Sequence, residues 1–284
     1  VTTTATGDGL GDLTEAVRAL TDPARDTPAG AKACCAAVWG LDLVRLFLGE
    51  SYHPGGVELT RRLATLLDLR PGERVLDVAA GIGTTALLLA AERAVHVTGV
   101  DLGTAQVARA RARAAEAGLG GLVRFDVGDA EGLPFPPGAF DAVVCECAFC
   151  TFPDKPTAAS EMRRVVAPGG RVGIADVWIE PEHLDPDLRG LAGRVACLAD
   201  ARPIDELRAI LEAADLRVTT LERHDEALAA TIEQVRDRLR ALRLLDLPPL
   251  RGFDLRRAVA VAGQAAEAVR RGDAGYVLVV ARAR

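Results

Sequence analysis

The segment Val75-Leu76-Asp77-Val78-Ala79-Ala80-Gly81-Ile82-Gly83 sets a carboxylate ahead of two closely spaced glycines. An apolar strand running through Gly-x-Gly into a helix start is a nucleotide-cofactor cradle. Glycine lets a ligand approach the backbone, and the first amides of the helix are free to bind it. Asp77 adds negative charge, which suits a cofactor carrying positive charge better than a pyrophosphate. S-adenosylmethionine, with a sulfonium and an ammonium, is such a cofactor. The second set of reactive side chains is the six cysteines Cys34, Cys35, Cys145, Cys147, Cys150 and Cys197. A cysteine on an α/β strand is ordinarily a small core residue, so Cys145 reads as core or cofactor-lining. Cys147 falls at a strand's carboxyl end, where ligands bind in open parallel sheets. Residues two apart on a strand share a face, so Cys145 and Cys147 point the same way if the strand persists. Cys147-x-x-Cys150 has no second pair to complete a structural zinc site.

The elements that must position these groups alternate regularly. Strands are predicted at 74–78, 96–101, 123–127, 142–147, 171–177, 217–221 and 276–281, and helices at 84–92, 104–117 and 156–166. This pattern predicts a seven-stranded, Rossmann-like α/β fold, a parallel sheet with helices on both faces. Residues 1–56 read as an N-terminal helical arm or lid, with helices at 13–20 and 31–48 and a turn at Ser51-Tyr52-His53-Pro54-Gly55-Gly56. A helix at 57–67 opens a core expected to span 57–225. A helical insert at 226–272, broken at Leu247-Pro248-Pro249, precedes the last strand at 273–284.

Hydrophobic residues make up 49% of the chain, enough for a sizeable core. The formal charge of −6 excludes nucleic acid as the main partner, because phosphate binding needs a basic stripe. No segment reaches the roughly 18 apolar residues of a membrane span. Val1 to Gly11 lacks the basic start and apolar run of a signal peptide. A cytoplasmic location with free thiols is the expectation.

Three later motifs separate the cofactor readings. Val100-Asp101 ends the second strand where an acid binds ribose hydroxyls. Gly128-Asp129-Ala130-Glu131 follows the third strand, and Ala167-Pro168-Gly169-Gly170 turns the chain into the fifth. With the first motif, this ordered set resembles the class I S-adenosylmethionine-dependent methyltransferases over roughly 69–177. The resemblance implies that Gly81 and Gly83 line the methionine part and that Asp77 supports its ammonium. It places Asp101 on the ribose, with Leu102 and Gln106 nearby, and Asp129 and Ala130 at the adenine.

A narrower resemblance, to the arsenite methyltransferases, rests on Cys147-Ala148-Phe149-Cys150-Thr151-Phe152-Pro153-Asp154-Lys155 and on Cys197 ahead of Pro203-Ile204-Asp205-Glu206-Leu207. It implies trivalent arsenic held as substrate by Cys147, Cys197 and one of Cys34 or Cys35, delivered as a thiol conjugate. Soft thiolates suit a soft centre. Such an acceptor has no proton to remove, so catalysis would be alignment of lone pair, methyl and sulfur. The turn at 51–56 and the insert at 226–272 depart from that family.

The competing reading is a methyltransferase of a small organic molecule, resembling quinone-biosynthesis or natural-product enzymes. Oxygen and nitrogen acceptors need a proton taken away. His53 is the candidate base by position, against the plainer expectation of a surface-loop histidine. Glu146 reads either as an acid/base or as a helix-capping carboxylate. His96, His183 and His224 are scattered and suggest no site.

Overall fold

The computed structural model describes residues 27, 30, 32, 53–183, 185, 188, 200–244 and 254–284. The expected helix at 13–20, nearly all of that at 31–48 and the Leu247-Pro248-Pro249 break lie outside these residues.

Helix α1 (Gly56–Leu66) leads to β1 (Arg74–Val78), α2 (Thr84–Arg93), β2 (His96–Asp101), α3 (Thr104–Glu116) and β3 (Val123–Val127). Then follow β4 (Phe140–Glu146), α4 (Lys155–Val165), β5 (Val166–Ile179), α5 (Ile204–Ala213) and β6 (Leu216–Arg223). The chain ends with α6 (Asp225–Leu244), α7 (Leu255–Arg271) and β7 (Ala274–Ala283). Local chemistry sets several boundaries. Asp154 caps α4 by accepting the Thr157 N–H at 3.0 Å, and Asp254 caps α7 through the Arg257 N–H at 3.0 Å. Helix α7 stops at Gly272, whose φ of 80° satisfies the last carbonyls in the left-handed form glycine tolerates.

One seven-stranded sheet runs in the order β3-β2-β1-β4-β5-β7-β6. Strands β1 to β5 pair in parallel, while β7 is antiparallel to both β5 and β6. The alternation of strands and helices predicts a wholly parallel sheet, and β7 breaks that expectation. Two packed helices, α6 and α7, separate β6 from β7. A single helix would return the chain to the opposite end of the strands, as in the parallel crossovers; two helices in series bring it back to the end it left, and β7 runs antiparallel to β6. Apolar clusters fill both faces. One is built on Val75, Val97, Ala142, Val144, Ala175 and Leu278, the other on Leu76, Val143, Cys145, Ile174 and Val279. Alternate residues of each strand thus serve opposite layers.

Strand β4 departs from the expected span in one consequential way. It ends at Glu146, and Cys147 takes a left-handed φ of 52°, rare for a residue with a side chain. Its N–H still bonds the Ala175 carbonyl at 2.7 Å. The strand therefore does not persist, and the shared face expected for Cys145 and Cys147 is lost. Cys145 is fully buried against α4, while Cys147 packs on the opposite layer.

Candidate active site

A cleft opens at the carboxyl ends of β1, β2 and β4, where open parallel sheets bind ligands. Asp77, Gly81, Asp101, Leu102, Gln106, Asp129, Ala130 and Cys147 all line it, so sequence-predicted residues from four motifs meet in one place. Two expected members do not reach it. Cys145 lies in the core with 0% exposure, and Gly83 serves packing instead. A Cβ on Gly83 would sit 2.5 Å from the Phe125 ring, whereas one on Gly81 would meet nothing within 4 Å. Gly81 alone borders open space. Cys34, Cys35 and Cys197 lie outside the described residues.

The electrostatics of the cradle distinguish between cofactors. The Gly81 and Gly103 amides both donate to the Asp101 carboxylate, each at 2.8 Å. Asp77 takes the Ala86 amide in the first turn of α2. The Gly81 amide of the glycine turn and the Ala86 amide of the α2 start are thus already answered by carboxylates. Asp77 is 2% exposed, and its Oδ2 has no hydrogen-bond partner among the described residues. Burial, then the neighbouring Glu146 and Asp101, push its pKa well above the ordinary carboxylate range. Such a group calls for a cation, and the ammonium of S-adenosylmethionine fits. Asp101, raised chiefly by burial, stands at the carboxyl end of β2 on the cleft wall. Beside it Leu102, 41% exposed, presents an apolar side chain to the cleft. Lys32 reaches Asp129 at 2.6 Å and Glu131 at 2.5 Å on that side.

The other end of the cleft holds a polar network. His53 is 9% exposed, not the surface-loop histidine its sequence context suggests. Its Nδ1 lies 3.1 Å from the Pro54 carbonyl, which only accepts, so Nδ1 carries the proton and Nε2 presents its lone pair. Nε2 is 3.1 Å from Thr60 Oγ1 and 3.7 Å from Glu146 Oε2. Thr60 and Thr85 also donate to Glu146 Oε2, at 3.0 and 2.6 Å. Glu146 is therefore neither a helix cap nor a lone carboxylate; it anchors a His-Thr-Glu chain. Sequence reasoning missed Thr60 and Thr85. Thr60 shares the buried face of α1 with Leu63 and Ala64, so a hydroxyl on an apolar stripe was the available signal. The three other histidines line no part of the cleft.

Comparison with known proteins adds the following. The family described as "Methyltransferase domain" matches residues 75–170. The chain is 32% identical over 195 residues to the 27-O-demethylrifamycin SV methyltransferase of Amycolatopsis mediterranei, covering 64% of this chain and 72% of the relative. It is 40% identical over 161 residues to the nocamycin O-methyltransferase of Saccharothrix syringae, covering 54% and 56%. Among solved structures, the geranyl diphosphate C-methyltransferase of Streptomyces coelicolor, with S-adenosylhomocysteine bound, superposes with a TM-score of 0.69 at 19% identity, covering 92% of this chain and 100% of that one.

Proposed function

The chain belongs to the class I S-adenosylmethionine-dependent methyltransferases, and we propose that it methylates a hydroxyl of a small organic metabolite of natural-product type, with His53 taking the proton. One observation carries this reading: a buried imidazole on the wall of the cofactor cleft, its Nδ1 held by the Pro54 carbonyl and its Nε2 met only by the Thr60 hydroxyl, backed by a carboxylate. An oxygen acceptor sheds a proton as it is methylated, whereas trivalent arsenic has none to shed. A general base has work only in the first case, where it contributes about 10² to 10⁴ in rate.

S-adenosylmethionine supplies an electrophilic methyl group on its sulfonium. Asp77 would hold the ammonium, Asp101 the ribose hydroxyls, and Leu102, Asp129 and Ala130 the adenine. The acceptor hydroxyl would donate to His53 Nε2 while the Thr60 hydroxyl turns to Glu146, a bond already within reach at 3.0 Å. The imidazolium that forms is then stabilised by Glu146, 3.7 Å away, and the Pro54 carbonyl keeps the ring from rotating.

The thiolate reading has less support. Of its cysteines Cys147 lines the cleft, while Cys34, Cys35 and Cys197 lie outside the described residues. The two relatives named above act, by their names, on rifamycin and nocamycin compounds. The test is kinetic. His53→Gln should lower kcat on a hydroxylated acceptor by about 10² or more at neutral pH, flatten the acidic limb of the pH–rate profile, and leave the S-adenosylmethionine Kd within twofold. An unchanged profile would remove His53 from the mechanism.

A further inference from the structure

We propose that Arg113 is a positioning residue for the cofactor: from behind the glycine turn it holds the cradle in the shape that S-adenosylmethionine needs. Its role concerns the donor end and holds whichever acceptor is methylated. Arg113 lies in the last turn of α3. One guanidinium nitrogen, Nη1, donates to the Ile82 carbonyl at 2.9 Å and to the Thr84 hydroxyl at 3.0 Å. Ile82 and Thr84 line the cleft, and Arg113 stands outside that lining.

The turn needs such a hold. Ala79, Gly81 and Gly83 all take positive φ, at 59°, 54° and 81°. A turn with three left-handed residues, one of them alanine, is costly and persists only when its surroundings over-determine it. On the cleft side the Gly81 amide is fixed by Asp101 at 2.8 Å. Within the turn the Gly83 amide donates to the Ala80 carbonyl at 2.9 Å. The peptide between Ile82 and Gly83 is thus held by its N–H from one side and, through Arg113, by its carbonyl from the other. Without the guanidinium the carbonyl of Ile82, a residue 4% exposed, loses this donor, and the peptide plane is held at one end only.

Helix α3 joins the two holds. At its start the Gly103 amide donates to the other oxygen of Asp101 at 2.8 Å, and Gln106 lines the cleft. Arg113 follows about two helical turns beyond Gln106. Between them Ala110 closes on the turn, since a Cβ on Gly83 would lie 3.2 Å from the Ala110 methyl. One helix therefore grips the cradle at Asp101 in front and at Ile82 behind. The charge of Arg113 also suits the C-terminal end of α3, where a cation is favoured.

The experiment measures S-adenosylhomocysteine binding by calorimetry, and Tm without ligand, on the full chain. The proteins compared are wild type, Arg113→Met, Arg113→Lys and Arg111→Met. Arg111 is the control: it stands on the same helix but donates to the Phe125 carbonyl of β3, at 2.9 and 2.6 Å. Arg113→Met should raise the Kd about tenfold. Arg113→Lys, which keeps a cationic donor, should stay within about threefold of wild type. Arg111→Met should stay within about twofold even where its Tm falls. A Kd within about twofold of wild type in Arg113→Met, whatever its Tm, overturns the proposal. Equal weakening in Arg111→Met overturns it too, because any loosening of α3 would then suffice. If Arg113→Met does not fold, Arg113→Gln, whose amide can donate to one acceptor, takes its place against the same thresholds.

Discussion

Asp77 shows how a single side chain reports what it lacks. Its carboxylate is dry, faces Glu146 and Asp101, and has one oxygen without a partner. Folding around it alone is unfavourable, and a cation relieves it. Asp77→Asn should weaken S-adenosylmethionine about 10- to 100-fold, the loss of a hydrogen bond to a charged group worth roughly 1.5–3 kcal/mol. The unliganded variant should be at least as stable as wild type. The same residue fixes a pH dependence. Below the unfolded carboxyl value of about 3.9 both states hold the proton. Because the folded pKa is raised, as it is for Asp101 and Asp176, the folded state keeps protons that the unfolded state releases. The stability that these three groups contribute is therefore fully present at low pH and lost as pH rises from about 4 through the folded values. Urea unfolding of the cofactor-free proteins across that range should show wild type losing stability relative to Asp77→Asn as pH rises, through a more negative slope of stability against pH. Equal slopes would mean that Asp77 ionises as freely folded as unfolded.

The elements explain why some of this was legible in the sequence and some was not. The cradle is local: strand, glycine turn and helix start lie within a dozen residues, and their pattern specifies them together. Within it the two glycines have different reasons to be glycine. Gly83→Ala should cost stability, about 1–3 kcal/mol for overpacking on Phe125 plus the penalty of a φ of 81°. Gly81→Ala should cost less in Tm and more in cofactor affinity, because its Cβ would enter open space on the cleft wall. Paired thermal melts and Kd measurements separate the two, and equal effects on both readouts would contradict the assignment. The acceptor end was not legible in this way. Thr60 and Glu146 are 86 positions apart, and only the packing of α1 against the sheet brings them together. The turn of Cys147 away from Cys145 depends on where β4 stops, a choice made by its pairing with β5 and not by its own residues. The direction of β7 follows from there being two helices before it. Asp225 joins that pair to the sheet, accepting from Trp178 Nε1 at 3.0 Å, the Tyr276 N–H at 3.1 Å and Arg223 at 2.6 Å. Asp225→Ala should destabilise by about 2–3 kcal/mol through the buried donors it strands, read as a lower urea midpoint.

At the scale of the molecule, an acidic cleft sits in a chain of formal charge −6. Asp77, Asp101, Asp129 and Glu146 line it, against Lys32 and the His53 imidazole. That field favours a cationic cofactor and a neutral acceptor and disfavours anionic ones. Among the described residues no helix is long and apolar enough to cross a membrane. The class of enzyme was readable from four ordered motifs, but the acceptor was not, because the cysteines that suggested arsenic are spread along the chain and only Cys147 among the described ones reaches the cleft. The central claim is that the methyl group goes to a proton-bearing oxygen. It is tested most directly by incubating the purified protein with S-adenosylmethionine and, in parallel, 27-O-demethylrifamycin SV with a panel of other hydroxylated metabolites, or arsenite with glutathione, and identifying methylated products by mass spectrometry. The expected result is an O-methylated organic product that falls at least a hundredfold in His53→Gln, with no methylarsenic species. Methylated arsenic formed equally by wild type and His53→Gln, with no organic product from any panel member, would contradict it.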